Sequence, residues 1–99
     1  MSYICDVGAN IYRFTPIDIE VGEYLQLMRE PKNPVCRHSI AIFRDGKKVG
    51  YVPKSIARLI SKSVDNGAAY ACRITGIKPA GRYTEIGIEI HLIQAQKLA

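Results

Sequence analysis

A chain of 99 residues, 47% hydrophobic and 23% charged, has the size and composition of one ordinary globular domain with a single core. It has no apolar run near the length of a membrane span, and its three cysteines, Cys5, Cys36 and Cys72, are odd in number, widely spaced and without a Cys-x-x-Cys pair. That excludes a transmembrane helix, a disulfide framework and a zinc knuckle. The net charge of +5 is local. Residues 29–62 hold Arg29, Lys32, Arg37, Arg44, Lys47, Lys48, Lys54, Arg58 and Lys62 against Glu30 and Asp45, a segment charge of +7, while residues 1–28 carry −3 and residues 63–99 carry +1.

In chain order, residues 2–14 read as a strand with a bulge or bend at Gly8-Ala9-Asn10, ended by Thr15-Pro16. Gly22 to Met28 alternates with period two, a second strand. Pro31 and Pro34 bracket Lys32-Asn33 and forbid regular structure, so a shaped loop follows. Ser39–Arg44 is a strand buried on both faces or nearly so, with Phe43 expected in the core. Asp45-Gly46 is a hairpin turn, because glycine supplies the positive φ of a tight turn, and Lys48–Val52 is the return strand. Pro53 suits the first position of a helix running to Asn66, with Ile56, Leu59, Ile60 and Val64 as its apolar stripe and Asn66-Gly67 as its stop. Residues 68–76 and 84–93 read as two further strands joined by a turn at Pro79-Ala80-Gly81. The second of them sets Ile86, Ile88, Ile90 and Leu92 against Glu85, Gly87, Glu89 and His91, giving one buried and one wet face. Five or six short strands with one helix at about 53–66 predict a mainly β fold, a small barrel or strongly bent sheet over a single domain, residues 1–99.

Enzyme chemistry is not evident. Cys36 and His38, two apart, have the spacing of a nucleophile and base on one strand face but no third orienting group, and they read better as a loop residue and a polar contact. Cys5 and Cys72 lie in apolar stretches and read as core thiols. No metal set and no phosphate loop emerges, so no cofactor is expected. A basic segment interleaved with aromatics is the electrostatic footprint of a nucleic-acid binder. Within it Tyr51 either packs inward with a satisfied hydroxyl or faces a groove as a stacking platform. Without a signal-peptide pattern, a cytoplasmic location is expected.

Gly22-Glu23, Leu27-x-Arg29-Glu30-Pro31-x-Asn33-Pro34, Ile40-Ala41-Ile42, Gly46 and Val49-Gly50-Tyr51-Val52-Pro53-Lys54-x-x-Ala57, in that order, resemble the HIRAN domain over about Val7 to Ile93. That domain stands at the N-terminus of fork-remodelling helicases and alone in small bacterial and phage proteins. The resemblance implies a six-strand barrel related to OB and SH3-like folds, and a role in DNA repair or replication as a module that binds single-stranded DNA at a 3′ end. By position it implies that Arg13 contacts phosphate and Phe14 stacks on a base, with Asn33, Tyr51 and Lys54 as further contacts. Where the end-capturing members have an aromatic and an aspartate, this chain has Val35 and Cys36. Arg37 and His38 are then the expected substitutes for phosphate contact, and Arg58 of the basic helix is a further cation expected to neutralise phosphate. The alternative reading is a protein-interaction module that docks its basic face on an acidic partner such as a nuclease, a helicase or a defence factor.

Overall fold

A computed structural model describes residues 2–9, 19–80 and 83–95. Six strands and one helix follow in the order β1 (Ser2–Ala9), β2 (Tyr24–Arg29), β3 (Ile40–Arg44), β4 (Lys47–Tyr51), α1 (Lys54–Asp65), β5 (Ala69–Ala80) and β6 (Tyr83–Gln94). Every strand pairing is antiparallel, and the sheet order is β1-β6-β5-β2-β3-β4. The sheet curls into a half-barrel. Its two end strands, β1 and β4, approach each other, and no hydrogen-bonded ladder joins them among the described residues.

The mainly β fold with one helix is as expected. The β3–β4 hairpin forms because Asp45 (φ 49°) and Gly46 (φ 80°) both take the left-handed conformation that a two-residue turn requires. A bulge follows at once: Ile42 opposes Gly50 while Phe43 opposes Lys48, so Val49 is the extra residue and turns into the core at 2% exposure. Inside the curl lie Leu25, Ile40, Ile42, Cys72, Ile74, Ile86, Ile88 and Ile90, and Ala57 and Ile60 of α1 join them. The helix ends where Gly67 (φ 95°) allows the chain to turn back. The N–H of Ala68 reaches Ser63 O and that of Gly67 reaches Val64 O, the two bonds of a Schellman stop.

Five expectations change. β1 pairs in register with β6 through Ala9, so no break occurs at Gly8-Ala9, and residues 10–14 of the expected strand lie outside the described residues. β5 runs on to Ala80 instead of turning at Pro79. Pro79 is tolerated because β2 pairs with β5 only at Arg73 and Cys72, which leaves the proline's missing donor on an edge unpaired among the described residues. Leu59 is exposed (66%), because the buried face of α1 runs through Ala57, Ile60 and Ser61, with Ile56 and Val64 half-buried. Phe43 is half-buried on the outer face of the sheet, between Gln26 and Lys48 on the flanking strands. Cys5 is half-buried beside the core, unlike Cys72, whose burial pushes its thiol up to about 12. No helix among the described residues is long and apolar enough to cross a membrane.

Candidate nucleic-acid interface

The segment between β2 and β3, residues 30–39, is held in shape by its own hydrogen bonds, and its sequence explains why. Pro31 and Pro34 fix φ and remove two donors. Asn33 completes the shape: its Oδ1 accepts the N–H groups of Val35 (2.9 Å) and Cys36 (3.3 Å), an Asx turn. Backbone bonds from Asn33 N to Glu30 O (3.1 Å), Ser39 N to Cys36 O (3.1 Å) and Glu30 N to Ser39 O (2.9 Å) close two turns and the loop's base. The loop is then fixed to α1. Arg29 donates to Ser39 O (2.8 Å) and forks onto both oxygens of Asp65 (2.9 and 3.2 Å), and His38 Nδ1 lies 3.2 Å from the buried hydroxyl of Ser61. The Arg29 guanidinium holds the Asp65 carboxyl below its usual range.

Glu30 ties the other side of the loop to β4. Lys48 Nζ donates to its Oε2 (2.6 Å), and Asn33 Nδ2 (2.9 Å) and the Tyr51 hydroxyl (2.8 Å) both donate to its Oε1. Hydrogen bonds from Lys48, Asn33 and Tyr51 hold this carboxyl down at about 2. Lys48 also donates to the Tyr51 hydroxyl (2.9 Å) and lies 5.0 Å from the centre of its ring. Tyr51 is therefore turned outward and 39% exposed, its polar tip fully engaged and its ring held in one plane.

That ring stands between two cavities. The outer, of about 490 Å³, is lined by Glu30, Pro31, Lys32, Asn33, Pro34 and Tyr51. The inner, of about 290 Å³, is lined by Asn33, Val35, Cys36, Ser39, Tyr51, Val52, Lys54 and Ala57. Among the described residues no carboxylate lines the inner one. Its Cys36 thiol is drawn below the ordinary thiol range by the backbone N–H of His38 and the Ser39 hydroxyl, helped by the charges of Arg58 and Lys54. A third cavity, of about 330 Å³, opens on the far side of the 36–39 turn between Arg29, Pro31, Arg37, His38, Ser61, Lys62 and Asp65.

The predicted site residues thus divide. Asn33, Tyr51 and Lys54 meet at the inner cavity, whereas Arg37 and His38 line the third. Arg58 is exposed one helical turn after Lys54. Arg13 and Phe14 lie outside the described residues. Cys36 and His38 do not form a nucleophile and base: the imidazole engages Ser61, and only the backbone N–H of His38 serves the thiol. Among the described residues no group of His, Cys, Asp and Glu converges to hold a metal ion.

Glu30 and Lys48 are the site residues that sequence reasoning missed. The available signal was an acid embedded in a cationic run and followed by Pro-x-Asn. Of the basic residues of 29–62, Arg29, Arg44 and Lys48 are paired with Asp65, Glu23 and Glu30. Lys32, Arg37, Lys47, Lys54, Arg58 and Lys62 meet no carboxylate among the described residues.

No curated protein matches the chain. Among solved structures, the HIRAN domain of human HLTF superposes with a TM-score of 0.73 at 20% identity, covering 92% of this chain and 74% of that one. The family model of the HIRAN domain matches residues 2–92. The chain belongs to the HIRAN domain family.

Proposed function

We propose that this HIRAN domain binds single-stranded DNA, seating a terminal nucleotide in the inner cavity. The observation that supports this best is the convergence of Tyr51, Asn33 and Lys54 on one space of about 290 Å³, amid cations that no carboxylate neutralises. That volume is close to the lower end, about 300 Å³, of the range for small-ligand sites. The base stacks on the Tyr51 ring, whose plane the Glu30–Lys48 bonds already fix, so little rotamer freedom is lost on binding. Lys54 meets the phosphate, and Val35, Val52 and Ala57 supply apolar walls. The remaining Nδ2 hydrogen of Asn33 is available to a base or sugar oxygen, its other groups being engaged within the loop. Arg13 and Phe14 join the same strand on the strength of the family motif alone. Contacts to phosphate position the strand without reading its sequence, so base preference is weak.

Fluorescence anisotropy with a labelled oligonucleotide tests this. Affinity falls with salt, the logarithmic slope being about −0.7 per phosphate contact. Tyr51→Ala costs about 1–3 kcal/mol, the worth of one stacked base. With Lys54 and no carboxylate in the inner cavity, an oligonucleotide ending in a 3′-phosphate binds at least as tightly as one ending in a 3′-hydroxyl. Absence of binding at low salt, or binding indifferent to salt, refutes the proposal. A second reading, docking on an acidic protein, is favoured by Val35 and Leu59, apolar side chains exposed at 78% and 66% in the same basic third of the chain. Leu59→Ser separates the two, since it weakens docking that buries this exposed side chain and leaves oligonucleotide binding, which rests on Tyr51, Asn33 and Lys54, unchanged.

A further inference from the structure

We infer that the bound strand continues beyond the inner cavity along the exposed face of α1, and that the third cavity holds a second backbone phosphate between Arg37 and Lys62. This rests on the single-stranded DNA reading and adds a path and a second anchoring point.

The helix carries the first argument. Lys54, Arg58 and Lys62 recur every four residues, all are exposed, and none meets a carboxylate among the described residues. Like charges at that spacing repel each other along a helix. Lys54 also sits in the first turn, where the helix dipole disfavours a cation and where Pro53 offers no side-chain cap. The only acid on the helix, Asp65, is already taken by Arg29. A row of charges that opposes its own helix becomes favourable when a polyanion lies along it. From Lys54 to Lys62 the rise is about 12 Å, several times the ~3.4 Å axial spacing of phosphates in a stacked strand. One phosphate cannot serve both ends.

The cavity carries the second. Its one carboxylate among the described residues is gripped by the Arg29 fork at 2.9 and 3.2 Å, and its imidazole is engaged by Ser61 at 3.2 Å. That leaves Arg37 and Lys62 as its unpaired charges. The carbonyl end of the helix points its negative dipole this way, but its last carbonyls already accept from Asn66, Gly67 and Ala68. Continuity is given by the 36–39 turn: Cys36 lines the inner cavity and the next two residues line this one. A strand leaving the Tyr51 ring needs only to cross that turn to reach it.

Length and charge together make the test. A labelled thymidine trinucleotide and a labelled thymidine decanucleotide are titrated over a salt series with the native chain, with Arg37→Gln/Lys62→Gln, and with the charge-matched control Lys47→Gln/Lys78→Gln. For the native chain the decanucleotide slope is steeper than the trinucleotide slope by about 0.7, the worth of the one extra phosphate held between Arg37 and Lys62. Arg37→Gln/Lys62→Gln brings the decanucleotide slope back to the trinucleotide value and leaves trinucleotide affinity unchanged, whereas the control pair alters neither. A decanucleotide slope that survives Arg37→Gln/Lys62→Gln overturns the path, as does an equal loss in the control pair, which would reduce the effect to net charge. If the native chain binds neither oligonucleotide, the parent reading fails with it, and that result is distinguishable from the other two.

Discussion

Replacing Glu30 by glutamine isolates one contact at the centre of the site. The new amide would keep an oxygen for Asn33 and Tyr51 but present an NH₂ group to the Lys48 ammonium, donor against donor, where Oε2 now accepts at 2.6 Å. A hydrogen bond to a charged group contributes about 1.5–3 kcal/mol when sheltered. Here the side chains are 23% and 39% exposed, so solvent screening reduces the expected loss to about 1 kcal/mol, or about 4–8 °C in Tm for a domain of this size. The pH dependence identifies the cause. The native carboxyl is held at about 2 against an ordinary 4.5, so its folded pKa is depressed. Its contribution is whole above pH 4.5 and is lost as pH falls toward 2. Urea unfolding of the native chain and Glu30→Gln, compared from pH 7 down to about 2, should show a gap that is full near neutrality and closes with acid. A gap that is constant over that range, or absent near neutrality, refutes the account of Glu30 as the tie between loop and β4.

Two further predictions concern the scaffold. Ile60→Ala, at a side chain only 1% exposed, should cost about 2–5 kcal/mol in urea unfolding, while Leu59→Ala stays within about 0.5 kcal/mol. Comparable losses would mean that α1 is rotated from the orientation described. Gly87→Ala would place a Cβ 2.9 Å from the Thr75 hydroxyl and 3.5 Å from Gly76 N, opposite the bulge where Thr75 is the extra residue of β5. The expected loss is about 1 kcal/mol, and Thr75→Ala in the same chain recovers most of it because the tight contact is to that side chain. If the double variant is no better than Gly87→Ala, the obstacle is the Asp6 carboxylate at 3.4 Å or the Gly76 backbone, and the account of Thr75 as the tight contact is refuted.

Much of the scaffold is legible in the residues because the signals are local. Asp45-Gly46 dictates its turn, Asn66-Gly67 ends its helix, and Ile86, Ile88 and Ile90 face inward by period two. The misreadings come from information held elsewhere in the chain. An apolar stripe through Leu59 overlooks Ala57 and Ser61, small residues that let α1 approach the sheet yet add little to a hydrophobic count. Pro79 reads as a turn because nothing local tells that the edge it faces is unpaired. For the site, the cationic segment and the positions of Asn33, Tyr51 and Lys54 are visible in the motif. The partition of Cys36 from His38 is not: a turn sends residues two apart into separate cavities. Nor is Glu30 visible as a hub, since Lys48 and Tyr51 lie 18 and 21 residues away from it.

Three acids, Glu30 within the basic region and Glu23 and Asp65 just outside it, explain why a segment so rich in cations folds around a fixed site. Each takes one cation across a joint: Glu23 takes Arg44 between the start of β2 and the tip of the hairpin, Glu30 takes Lys48 between loop and β4, and Asp65 takes Arg29 between helix and loop. All three carboxyls are held below their usual range. The Glu30 and Asp65 contacts join the pieces around the cavities, and all three remove from ligand binding the very cations that make them. What remains, apart from Lys47 at the hairpin tip, is Lys32, Arg37, Lys54, Arg58 and Lys62, which border the cavities or the exposed helix face on a scaffold that is already tied. Division of the charges into a structural set and a free set makes a specific demand. Acidification from neutrality toward about pH 2 protonates Glu30 of the structural set while leaving the free cations charged, so the site loses the tie between loop and β4 while the domain keeps its positive potential. DNA binding should therefore weaken in acid as that tie is lost, with no loss of positive charge to account for it.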